Sequence, residues 1–118
     1  SPATSLYMPT DWVNSNKATV QKLVNAYVST LTWIQQHDGA AIADKMPAAY
    51  YKGVGKDAYV NALNSEKGIF NPTGLMPEDG PKTCLAVLGE FNPKVQGKRI
   101  DLAKTYTNEF VKAATSVG

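Results

Sequence analysis

"KATVQKLVNAYVSTLTWIQQ", residues 17–36, decides the fold class of this chain. Val20, Leu23, Val24, Tyr27, Val28, Leu31 and Ile34 recur at i, i+3, i+4 and i+7. That spacing lines one face of an α-helix and predicts the longest helix of the chain here. Asn16 stands where an N-cap is needed, with a short side chain able to accept from first-turn N–H groups. "HDG" at 37–39 ends the helix, and Asp38 can cap the next one, "GAAIADKM", which Pro47 stops. Ahead of the long helix, Thr10, Asp11 and Trp12 predict a short helical turn.

Working outward, "YYKGVGKDAYVNALNSEKG" holds a turn at Gly53–Gly55 and a helix near 56–66 with Tyr59, Val60 and Leu63 on its apolar side. Residues 69–80, "IFNPTGLMPEDG", are turn-rich. A helix from about Pro81 to Phe91 follows, with Cys84, Leu85, Leu88 and Phe91 on one face, and then a loop over 92–99. "FNP" occurs at 70–72 and again at 91–93, which reads as turn chemistry and not as a repeat. The last helix is expected to start near Asp101, a good cap, and to place Leu102, Tyr106, Phe110, Ala113 and Val117 in one stripe. "KTYTNEF" (104–110) falls inside that span although Thr105, Thr107 and Asn108 are poor helix formers. At the other end "ATSLYM" (3–8) reads as a short strand, since Pro9 disfavours helix at Met8 and nothing nearby can pair with it. The expected fold is mainly α, about five helices with one short N-terminal strand near Leu6, in a single unit over residues 1–118. The expected core is Val20, Leu23, Tyr27, Leu31, Leu85, Leu88, Tyr106 and Phe110.

Bulk properties narrow the function. A length of 118 residues suits one domain. Twelve basic residues against ten acidic ones give a net charge of +2 with no basic run, so nucleic acid is not the expected partner. Cys84 is the only cysteine, which excludes an internal disulfide. "SPATSLYMPT" has no charged n-region and no long apolar stretch, and so does not read as a signal peptide.

Each chemically suggestive residue has a plain structural alternative. His37, the single histidine, suits the negative end of a helix dipole better than catalysis, because no Ser, Cys or second His is placed to work with it. Cys84 follows helical spacing with Leu85 and Leu88, as a packing residue would. One His and one Cys cannot supply the usual metal-ligand set, so neither a metal nor another cofactor is expected. Glu78 and Asp79 fall at a helix start, where negative charge is favoured, and do not form a spaced glycosidase pair. "GVGKDA" (53–58) lacks the length and hydroxyl of a P-loop. Tyr50 and Tyr51 are expected to pack beneath a loop.

"SLYMPTDWVNSNKATVQKLVNAYVSTLTWIQQHDGAAIADKMP" resembles the C-terminal segment of substrate-binding proteins of the nitrate/sulfonate/taurine type of ABC importer. In that family a strand leads into a T-x-W-(I/V) turn, a long helix and a short one. "GLMPEDGPKTCLAVL" is similar to the family's late G-x-M-P-x-x-G turn and helix, and "IDLAKTYTNEFVKAA" looks like its closing helix. The resemblance covers essentially the whole chain through the order and spacing of its segments. It implies the C-terminal helical part of a two-lobed α/β periplasmic-binding-protein fold. It also implies a non-enzymatic, periplasmic role, with a small anionic solute and an ABC permease as partners. Most of the ligand cleft would then belong to lobes outside these residues. Only the strand end could reach the cleft, which makes Ser5 and Tyr7 the ligand-binding candidates. Bare lobe-facing surface would favour self-association of the segment alone. A free-standing helical interaction module is the alternative reading. An enzyme of thiamine-precursor synthesis, a related fold, would need a His/Cys cluster that is missing here.

Overall fold

A computed structural model describes residues 4–117, and side chains through residue 114. The long helix forms as its spacing predicts. Among the described residues there are six α-helices: α1 (Thr10–Ser15), α2 (Lys17–Gln36), α3 (Gly39–Asp44), α4 (Lys56–Glu66), α5 (Asp79–Phe91) and α6 (Glu109–Val117). Single 3-10 turns lie at Ala48–Tyr50, Lys67–Ile69 and Leu102–Lys104. The fold is mainly α, with one helix more than the spacing predicts, because the turn at Thr10 extends into α1. Residues 4–9 run extended without strand pairing, and residue 3 lies outside the described residues.

Two helix pairs hold the structure together, α2 with α6 and α3 with α4. Val20 and Ile34 of α2 are buried, as are Phe110 and Ala114 of α6. Gln21 Nε2 donates to the Phe110 carbonyl at 2.9 Å, tying the first turn of α6 to α2. In the second pair Ile42 and Ala43 are buried. Gly39 is there for closeness: its N–H donates to Asn64 Oδ1 at 2.7 Å. A Cβ on Gly39 would come within 2.6 Å of the Val60 carbonyl oxygen, a distance real side chains do not tolerate.

Much of the expected core is not covered. Leu23 is 38% exposed and Tyr27 52%, so α2 is sheltered along only one side of its wide apolar stripe. Leu88 is also exposed, while Leu31, Leu85 and Tyr106 are half-buried. α5 has no extensive contact with another helix. The Cα radius of gyration is 17.3 Å, against about 13–14 Å for a compact domain of this length. The accessible surface is 8762 Å², against about 6,200 Å² for a compact monomer of this mass.

The closing helix starts eight residues later than its apolar spacing predicts. Asp101 does cap, accepting from the Ala103 N–H at 3.1 Å, but it opens only a single 3-10 turn. Residues 105–108 leave the helix. Thr105 Oγ1 donates to the Leu102 carbonyl, Thr107 Oγ1 accepts from the Glu109 N–H, and the Asn108 side chain bonds Met76. Side chains that satisfy the backbone locally compete with helix, and here they prevail. Within α6 Ala114, not Ala113, joins Phe110 in the core. The side chain of Val117 lies outside the described residues.

Asn16 is a second correction. Its side chain does not cap α2; Asn16 Nδ2 instead donates to the Trp12 carbonyl at 2.8 Å, closing the end of α1.

Candidate functional site

Ser5 and Tyr7 lie on the extended segment before α1 and are not drawn into a concave site. Ser5 is exposed and Tyr7 is 90% exposed. Neither lines either of two surface depressions, one beside α4 and one along α5.

The first depression is open and lies between α3 and α4, lined by Ala40, Lys56, Asp57, Val60 and Asn61. Its cation is already engaged: Lys56 Nζ donates to Asp44 Oδ1 at 2.6 Å. That hydrogen bond, and then the charge of Asp44, raise the Lys56 pKa above its ordinary value of 10.5. A raised lysine stays protonated at neutral pH and cannot act as a base.

The second depression is apolar and runs along α5, lined by Thr83, Cys84, Val87 and Leu88. Cys84 is half-buried within it. Phe91 lies one turn beyond Val87 on the same helix; the two are 80% and 53% exposed.

His37 is occupied structurally. Its ring stacks on Trp33 at 4.0 Å between centroids and 15° between planes. Nδ1 lies 2.7 Å from the Trp33 carbonyl, so a protonated Nδ1 satisfies one of the open carbonyls at the end of α2. Lys67 Nζ donates to the His37 carbonyl at 2.5 Å, adding positive charge where the helix dipole favours it. Tyr51 pairs with Tyr59 at 5.4 Å, whereas Tyr50 is exposed. Asp38 caps α3, accepting from the Ala41 N–H at 2.9 Å. No group of three or more His, Cys, Asp and Glu side chains that could hold a metal ion occurs among the described residues. No helix among them is long and apolar enough to cross a membrane.

Three asparagines organise the loops, and sequence spacing identifies only part of their role. Asn71 Oδ1 accepts from the Thr73 and Gly74 N–H groups, while its Nδ2 donates to the Leu75 carbonyl. Asn92 Oδ1 likewise accepts from the Lys94 N–H. The two "FNP" segments therefore share an Asx turn, the turn chemistry their composition suggests. The third, Asn108, bonds both backbone groups of Met76 across 32 positions of sequence. An Asn between Thr and Glu just before a helix is the only trace of it in the sequence.

Apolar side chains remain exposed on α2 and α5, and most side-chain hydrogen bonds lie at the surface. Comparison with family models, with curated proteins and with solved structures finds no match to this chain.

Proposed function

We propose that this chain is the C-terminal helical portion of a periplasmic solute-binding protein that serves an ABC importer. The solute is a small anion of the nitrate/sulfonate/taurine class. The role is non-enzymatic: the complete protein closes on its solute and presents it to the permease. The observation that carries this reading is the bare apolar surface of α2 and α5, on a chain exposing 8762 Å². That is roughly 2,500 Å² more than a compact monomer exposes. A typical interface takes about 800 Å² from each partner, so the surface suits a covering body larger than one small partner. The order of segments that resembles the family points to α/β lobes as that body. In this reading the segment around Leu6 becomes a strand when a sheet edge is supplied, and Ser5 and Tyr7 then face the solute.

The experiment compares two proteins. The first is this chain alone; the second is the product of the whole reading frame that encodes it. Calorimetric titration with nitrate, taurine and alkanesulfonates should give micromolar binding for the second and little or none for the first. A cleft must supply several convergent polar groups in a largely buried pocket, and an exposed extended segment does not. Absence of binding by the longer product overturns the reading. So does micromolar binding by a monomer of these 118 residues. The bare faces of α2 and α5 also suit a free-standing helical interaction module. A reading frame that encodes no lobe favours that alternative.

A further inference from the structure

Residues 77–107 carry α5, which has no extensive contact with another helix, and the residues that flank them, Met76 and Asn108, are hydrogen-bonded to each other. The Met76 N–H donates to Asn108 Oδ1 at 2.8 Å, and Asn108 Nδ2 donates to the Met76 carbonyl at 3.0 Å. One carboxamide thus pairs with both backbone groups of one residue, as a neighbouring strand residue would. Both halves of the joint are rooted in the body. The Asn108 carbonyl accepts the Lys112 N–H at 2.9 Å and so opens α6, which packs on α2. On the other side Gly74, at φ +78°, seats against Leu31, Val28 and Val111; any Cβ there would meet Leu31 at 3.3 Å. Asn71 fixes the turn that delivers Gly74 and Leu75. Beyond the joint the support thins. Gly80 is buried at the root of α5, but Val87, Leu88 and Phe91 farther along are exposed.

We propose that residues 77–107 form an arm whose direction is set at the Asn108–Met76 joint: the intact joint holds the arm in place, and without it the arm turns as a unit. Asn108 is its positioning residue. The joint aims the apolar face of α5 toward whatever covers it. This inference rests on the chain's own geometry and stands or falls apart from the transport role.

The test uses nuclear magnetic resonance on the 118-residue chain and its variants. In Asn108→Ala the Met76 amide should exchange about tenfold faster, since two hydrogen bonds are lost. Amides within α5 and α2 should keep their native rates. Residual dipolar couplings of α5 and α2 should fit one alignment tensor in the native chain and require two in the variant. An unchanged Met76 amide, or a shared tensor in Asn108→Ala, overturns the proposal. So does loss of protection throughout α5, because the arm would then unfold and not turn. If Asn108→Ala fails to fold, Asn108→Asp decides. A carboxylate still accepts from the Met76 N–H, so exchange there should stay within about threefold of native while the tensors separate. Tensors that remain shared in that variant overturn the joint.

Discussion

α2 and α5 carry apolar residues at the same helical spacing, and the chain treats them differently. α2 receives α6 along one side of its stripe, with Val20 and Ile34 buried and Val24, Val28 and Leu31 partly covered. α5 presents Val87, Leu88 and Phe91 to solvent. Several of its side-chain bonds are local. Lys82 pairs with Glu78 at 3.2 Å, Thr83 Oγ1 donates to the Asp79 carbonyl, and Gln96 Nε2 donates to the Glu90 carbonyl near the last turn. An isolated helix shorter than about 12–15 residues is marginal in water, so α5 has less to hold it than the packed α2. Apolar periodicity identifies a face that needs cover. It does not say whether the cover lies in the same chain.

The sharpest way to break this contrast is at the α2–α6 contact. Phe110 is 7% exposed. Phe110→Ala should cost about 3–5 kcal/mol, a transfer loss plus a cavity. Urea unfolding followed by helix content measures it, and a loss under about 1 kcal/mol would mean α6 is not the cover of α2. Phe91, at 80% exposure, is the counterpart on α5. Phe91→Ser should change stability by no more than about 0.5 kcal/mol, as surface substitutions do. It should nevertheless weaken any self-association seen by light scattering, since it removes the most exposed apolar group on that face. A substantial stability loss in Phe91→Ser would show that the chain covers α5 itself in solution.

The same contrast explains what was legible in the sequence. The span of α2 and the existence of α3, α4 and α5 follow from periodicity and stop signals, because local chemistry decides them. Which apolar residues are buried depends on partners distant in sequence, and Leu23 and Tyr27 stay 38% and 52% exposed. At residues 104–110 two local signals conflict: apolar spacing favours helix, while Thr105, Thr107 and Asn108 disfavour it. Spacing alone cannot weigh a side-chain bond to Met76, because that bond exists only once the loop over residues 70–78 has docked. Ser5 and Tyr7 are candidates through a family resemblance alone, and both are exposed, because the partners that would surround them in such a cleft are not local in sequence.

The smallest expected effect comes from the α3–α4 pair, at Asp44 and Lys56. Both side chains are more than half in contact with water or close to it, at 63% and 50% exposed, and their contact is 2.6 Å. Solvent screens such a pair, so it does little for stability despite the short distance. Its sign with pH is nevertheless fixed. Asp44 raises the folded-state pKa of Lys56 above 10.5, the value it has when unfolded. The favourable interaction is therefore fully present below 10.5 and fades as pH rises through the raised folded value. Asp44→Asn removes the partner. The thermal midpoint of the native chain should exceed that of Asp44→Asn by a small margin near neutral pH. That margin should shrink in strongly alkaline solution and in high salt. Other groups also titrate in alkali, but they are common to both proteins and largely cancel in the difference. A margin that grows with pH would contradict the assigned sign. One that persists in 1 M salt, where the screening length falls to about 3 Å, would mean the pair is better shielded than its exposure indicates.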